Sequence, residues 1–259
     1  MRKLSLALMF VISAAAFGDA LVETFDRTVD VRPGSRVEID NVNGKVRVSA
    51  WDQPQVRIHA VKKVHDSDDR EIMRQLRIDV RQEGSTLEIE TAHPRRKDDV
   101  GFLDFLFGNH VNTSVDYEVT VPRTIDLSVE TVNGSIVASD VSGEIEVETT
   151  NGKIDVARCS GTVDAETTNG SISVELMQVR AGRGMRFETT NGRINLTLPP
   201  NIAANIDAST TNGKIATEIP ITTQRFSRRS LRGTLNGGGT DIVLRTTNGG
   251  IEIRSALAQ

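Results

Sequence analysis

One dipeptide, Asn-Gly, recurs along this chain at a near-regular interval, and that interval restricts the fold more than any other feature. It occurs at 43, 133, 151, 169, 191, 212, 236 and 248. All but the one at 236 share a frame: Val-Asn-Gly or Thr-Asn-Gly, one variable residue, then Ile or Val. From Asn133 onward the framed copies are 18, 18, 22, 21 and 36 residues apart. A second glycine falls midway in the regular units, at Ser142-Gly143 and Ser160-Gly161. The unit is therefore about 18 residues with two turns and two short strands, and the longer spacings are loop insertions.

Within a unit the side chains alternate. Ile145, Val147 and Thr149 share one face, joined after the turn by Ile154 and Val156, while Glu144, Glu146, Glu148 and Thr150 share the other. Period two means strands with one buried side. Two all-β folds fit. Asn-Gly between alternating strands signals a hairpin, hence an antiparallel meander. In a parallel β-solenoid each unit of about 18–22 residues is one coil, and equal positions stack ~4.8 Å apart. The near-identity of the Thr-Thr-Asn-Gly runs favours the solenoid, because only there do successive copies touch. Asn133, Asn151, Asn169, Asn191, Asn212 and Asn248 then form a hydrogen-bonded ladder at a turn expected to need positive φ, with the inward parity of the apolar residues. Cys159 falls where Val141 stood one unit earlier and reads as a buried hydrophobe.

Composition narrows the function. With 31 Lys+Arg against 35 Asp+Glu the net charge is −4 and no basic block dominates, which argues against nucleic-acid binding. A single cysteine excludes a disulfide framework and a Cys-based zinc site within one chain, and histidines scattered at 59, 65, 93 and 110 argue against a metal centre. Aromatics are 4% of residues, so the core must rest on Val, Ile, Leu, Ala and Thr. No cofactor is expected.

Residues 1–20 have the layout of a secretory signal peptide: Arg2 and Lys3, an apolar run from Leu4 to Ala16, then small residues. The run is shorter than a membrane-spanning helix needs. No other apolar span is present, so the mature chain is expected in the periplasm or outside the cell, with no integral span. Residues 21–122 read as a less regular β-coil region carrying a short helix at 67–76, N-capped by Ser67, and a loop insertion at 92–112. Residues 123–259 hold the regular repeats.

Several elements together carry a family resemblance: the Val-Asn-Gly-Lys-Val frame with Trp51-Asp52 downstream, the strand Val115-Asp-Tyr-Glu-Val-Thr-Val-Pro122, the Thr-Asn-Gly units, and Gly237-Gly-Gly239 before the last of them. The chain resembles the bacterial DUF4097, or "putative adhesin", β-strand-repeat family over about residues 30–259. The resemblance implies an exported or membrane-attached β-solenoid-like protein, and it supplies no catalytic residues.

The candidate sites follow from the frame. Glu130, Glu148, Glu166 and Glu188 each stand three residues before an Asn and face outward, and Glu146 and Asp164 share that face. Stacked, they make an acidic surface for cations or cationic peptides, or else a solvated face that resists sheet aggregation. Thr150, Thr168, Thr190, Thr211 and Thr247 line up beside them, which β-propensity explains. Arg225, Arg228 and Arg229 surround Phe226 and are candidates for contact with an anionic envelope polymer. Phe102, Phe105 and Phe107 lie in the loop GFLDFLFG, as a cap for an open solenoid end or a contact patch. No His-centred triad, Gly-x-Ser-x-Gly or phosphate loop is present. The expected role is a non-enzymatic cell-envelope or surface interaction module, adhesin, scaffold or sensor, whose partner is a glycan, protein or cationic peptide. The alternative is a polysaccharide-acting enzyme, by analogy with other β-helices.

Overall fold

In the computed structural model, which describes residues 10–12, 20–64, 70–93, 113–180 and 182–256, the Asn-Gly units stack as a β-solenoid. Ser142–Asn151 runs parallel to Ile154–Asn169, with Ile145 beside Val163, Glu148 beside Glu166 and Asn151 beside Asn169. Equal positions of successive units are thus direct neighbours, as the solenoid requires and a meander does not. Each coil gives one strand to each of two stacks. In the first stack the order is Thr86–Ala92, Arg36–Asp40, Asp126–Thr131, Ser142–Asn151, the second half of Ile154–Asn169, Met185–Asn191, Thr240–Asn248 and Ala204–Asn212. After the Asn-Gly turn the chain enters the second stack, ordered Thr113–Pro122, Val46–Trp51, Ile136–Ser139, the first half of Ile154–Asn169, Ile172–Val179, Ile194–Leu198, Ile251–Ser255 and Ile215–Thr217.

The spatial order differs from chain order at both ends. The coil of Arg36–Trp51 lies between those of Thr86–Pro122 and Asp126–Ser139, and the last coil, Thr240–Ser255, lies between those of Met185–Leu198 and Ala204–Thr217. Each end is closed by antiparallel strands. Arg77–Glu83 covers Thr86–Ala92, and Gln55–Val64 covers Thr113–Pro122, with Leu21–Asp30 outside it. At the other end Ser230–Leu235 covers Ala204–Asn212, and Thr222–Ser227 lies beyond that. Phe10–Ile12 pairs antiparallel with Thr24–Asp26.

Inward positions of both stacks form one core of Val, Ile, Leu and Ala, in which Phe187 and Tyr117 are the large aromatic members. Cys159 is buried among them, and burial pushes its thiol up to about 11. Within the expected 67–76 segment the described residues contain a helix. It spans Arg70–Gln75 and anchors through Met73 and the following Leu76, both buried, while Ser67 lies outside the described residues. Most of the 92–112 insertion, including Phe102, Phe105 and Phe107, also lies outside them; Ala92 ends a strand.

Candidate functional site

The Thr-Thr-Asn-Gly run is a joint whose four residues do different work. The first Thr points inward. Thr149, Thr167, Thr189, Thr210 and Thr246 are buried, and each donates its hydroxyl to the carbonyl of a turn glycine on the adjacent coil at 2.8–3.1 Å. Those carbonyls would otherwise be unpaired where the backbone turns away from the sheet. The second Thr is exposed. The Asn amides form an unbroken ladder: Asn212 donates to Asn248, Asn248 to Asn191, Asn191 to Asn169, Asn169 to Asn151, Asn151 to Asn133 and Asn133 to Asn43, at 2.8–2.9 Å.

Two expectations about this ladder need correction. It is not inward: Asn133 through Asn248 are exposed, because the chain leaves the sheet plane at the turn and the strand parity ends there. Nor do these asparagines take positive φ. Asn236, the copy outside the frame, is the one that does, at 48°. Glycine is required for a different reason. A Cβ on Gly134, Gly152, Gly170, Gly192, Gly213 or Gly249 would sit 1.8–1.9 Å from the carbonyl oxygen of the neighbouring coil's glycine. Close stacking of turns, and not their dihedrals, fixes the residue.

The same registers build the acidic face. Glu130 pairs with Glu148, Glu148 with Glu166 and Glu166 with Glu188. The row continues beyond the predicted members, since Asp40 stands beside Glu130 and Glu90 beside Asp40. Asp40 occupies the frame position three before Asn43, a signal visible in the sequence but hidden by the weaker repeat. Arginines neutralise the borders. Arg81 pairs with Glu90 at one end, and Arg186 and Arg245 with Glu188 at the other. Along the flank, Arg36 reaches Glu146 at 2.5 Å, and Arg183 contacts Glu144, Glu146 at 3.0 Å and Asp164 at 3.4 Å. These arginines were not legible as site residues. Arg183 belongs to an insertion with no repeat position.

Among the described residues no cation lies within 4.0 Å of Asp40, Glu130, Glu148 or Glu166. Partial burial, then Glu130 and Glu166, hold the Glu148 carboxyl above its usual range. Asp40 is raised by burial, then by Glu130 and Glu90. Glu146 goes the other way, drawn down chiefly by its hydrogen bond from Arg36. A shallow groove of about 240 Å³ runs over this surface, lined by Glu130, Glu146, Glu148, Asp164 and Glu166 together with Arg186. Glu130, Glu148 and Glu166 project from successive strands, and no group of three His, Cys, Asp or Glu side chains able to hold a metal ion occurs among the described residues.

Arg225, Arg228 and Arg229 lie elsewhere, on the hairpin at the far end of the stack, where Phe226 is 60% exposed. No helix among the described residues is long and apolar enough to cross a membrane.

Two solved bacterial proteins align with this chain over most of its length at low identity. A "putative cell adhesion protein" of Clostridium sporogenes aligns at 13% identity over 89% of this chain and 99% of its own, with a TM-score of 0.45. A "putative adhesin" of Bacteroides fragilis aligns at 12% identity over 90% of this chain and 97% of its own, with a TM-score of 0.43. No curated protein sequence matches. The Toastrack DUF4097 family model matches residues 108–254, more than half of the chain and nearly all of the stacked Asn-Gly units, so the chain belongs to the Toastrack DUF4097 family.

Proposed function

We propose that this protein is an exported, non-enzymatic surface interaction module whose acidic sheet face binds a polycationic partner, a cationic peptide or a polymer of regularly spaced amines. The observation that carries this reading is the run of four carboxylates, Asp40, Glu130, Glu148 and Glu166, that have no cationic partner among the described residues and lie between arginine-neutralised borders. Like charges at strand spacing destabilise a sheet. The fold compensates such pairs at both ends and along one flank, and leaves the middle uncompensated. Parallel carboxylates repeated every ~4.8 Å suit a partner that repeats its charge; a single metal ion needs ligands that converge.

Binding would relieve the repulsion and stabilise the native state in proportion to occupancy. Pentalysine should therefore raise the melting temperature beyond the effect of sodium chloride at matched ionic strength, which sets the screening baseline. The gain should disappear when Glu148 and Glu166 are both changed to Gln. Equal action of the two salts, or a double variant that responds like the parent, would show the face to be only a solvated surface.

A further inference from the structure

The hairpin that closes the outermost coil, Ala204–Thr217, has properties that stacking does not explain. Thr222–Ser227 is the outermost strand of its stack and is exposed at every residue. Residues 219–235 contain four arginines and no Asp or Glu, in a chain whose net charge is −4. Arg232 pairs with Asp207, but no carboxylate lies within 4.0 Å of Arg225, Arg228 or Arg229 among the described residues. Phe226 stands opposite Leu231, which is fully buried, so its ring has the inward parity of the core. Among the described residues no coil lies beyond to cover it, and 60% of it faces solvent.

The turn between the two strands is held firmly. The Arg228 carbonyl accepts from the Ile215 amide and the Arg229 carbonyl from the Thr210 amide, both at 3.0 Å. The Ser227 hydroxyl accepts from the amides of Arg229 and Ser230. The backbone is thus fixed on the outermost coil, Ala204–Thr217, while the guanidinium groups and the ring project outward, which lowers the ordering cost of a contact made there. Charge is also polarised along the solenoid axis. The carboxylate row runs from Glu90 to Glu188, and the next two positions in register are Arg245 and Ser209.

We propose that this hairpin docks the solenoid end-on to an anionic phospholipid bilayer, with Phe226 entering the interface and Arg225, Arg228 and Arg229 engaging lipid phosphates. Clustered arginines gain from a negative surface, and an exposed ring beside them gains from the headgroup–acyl boundary. A hydrophilic polyanion would use the arginines and leave the ring in water. A second copy pairing edge to edge through Thr222–Ser227 would bring the arginine clusters of both chains together, which is repulsive. The acidic row, repelled by the same bilayer, would enforce the upright orientation.

The test uses the full chain carrying Phe226→Trp, with the parent chain as the reference for Trp51, so that the signal reports this position and not the apolar N-terminal segment. Vesicles containing about one third phosphatidylglycerol should shift the added tryptophan's emission to the blue, and pure phosphatidylcholine vesicles should not. Adding Arg228→Glu and Arg229→Glu should lower the partition coefficient about thirtyfold or more, from ~1 kcal/mol per arginine at an anionic surface. Arg193→Glu, an exposed single charge reversal away from the hairpin with half the charge change of the double variant, should leave it within a few-fold of the parent. Absence of a shift with anionic vesicles, or an equal shift with neutral ones, overturns the proposal. An equal shift with heparin assigns the hairpin to soluble polyanions, and a concentration-dependent shift without lipid assigns it to self-association; either overturns it too. If the charge-reversed variant fails to fold, the vesicle comparison on Phe226→Trp still decides.

Discussion

Replacing Gly170 with Ala tests whether close stacking of turns holds the coils together. The new Cβ would lie 1.8 Å from the Gly152 carbonyl oxygen and 2.5 Å from its carbon. An ordinary C···O contact is about 3.3 Å or more, so the two coils must part locally by ~1.5 Å. Both bonds at the joint are lost at that separation: Thr167 to the Gly152 carbonyl, now 3.1 Å, and Asn169 to Asn151, now 2.8 Å. Leaving a buried hydroxyl unpaired costs about 1–3 kcal/mol, and the exposed amide bond adds about 0.5–1. The substitution also stiffens the unfolded chain, which returns about 0.4–1 kcal/mol. The net loss is therefore about 1–3 kcal/mol before any damage spreads to the next coil. Gly237→Ala is the matched control. Its φ is +86° and nothing lies within 4 Å of the added atom, so only the left-handed backbone is penalised, at about 1–2 kcal/mol. Urea unfolding of both variants, with trypsin cleavage after Lys153 as a local probe, separates the cases. Gly170→Ala should lower the midpoint and open the 152–154 turn, and Gly237→Ala should lower the midpoint without exposing that turn. If Gly170→Ala leaves both the midpoint and the turn unchanged, the steric account of the Asn-Gly frame is wrong.

Two further predictions follow from the row and from the coil order. Because Glu148 titrates above its ordinary value of 4.5 in the folded state, the stability linked to it is fully present below that value and is lost as pH rises through the raised one. Glu148→Gln should therefore raise the melting temperature at neutral pH and make no difference well below 4.5, and a gain that persists in acid would contradict the repulsion. Ending the chain after Gly239 removes a coil from inside the stack, since Thr240–Asn248 lies between Met185–Asn191 and Ala204–Asn212. Trypsin should then cut rapidly at Arg225, Arg228, Arg229 and Arg232, and protection equal to that of the intact chain would refute the observed order.

The repeat made the architecture legible because a solenoid places equal positions in contact, so each rung selects the same residue types at Thr149, Thr167 and Thr189. Glu130, Glu148, Glu166 and Glu188 could be aligned from their offset alone, since in-register parallel stacking preserves offsets. What failed was reasoning from parity into the turn. Alternation holds only while the chain stays in the sheet, so it mistook the exposed asparagines for inward ones. Positive φ failed for a related reason: hairpin chemistry explains an isolated Asn-Gly, as at Asn236, but a stacked turn restricts its glycine through the neighbouring coil. The neutralising arginines were hidden because ion pairs cross rungs. Arg36 and Glu146 are 110 residues apart and meet over the intervening strand that carries Ser128.

The displaced coils at the two ends connect the topology to the charge pattern. If coils stacked in chain order, Arg36–Asp40 would not touch Asp126–Thr131, and Glu90 would take the place of Asp40 beside Glu130. The observed order puts Asp40 there and moves Glu90 outward, where the antiparallel strand Arg77–Glu83 supplies Arg81 to neutralise it. The other end works in the same way. Chain order would set Ser209 beside Glu188, whereas the inserted last coil sets Arg245 there, 3.6 Å from its carboxylate. One insertion thus moves Glu90 to where a covering strand supplies a cation, the other brings its own, and neither reaches the middle. The order also leaves antiparallel strands outermost at three of the four stack ends, all but that of Ile215–Thr217, in place of bare parallel edges ready to accept another coil. The length of the uncompensated acidic segment is therefore set by where the first and last coils enter the stack, not by the number of repeats in the sequence.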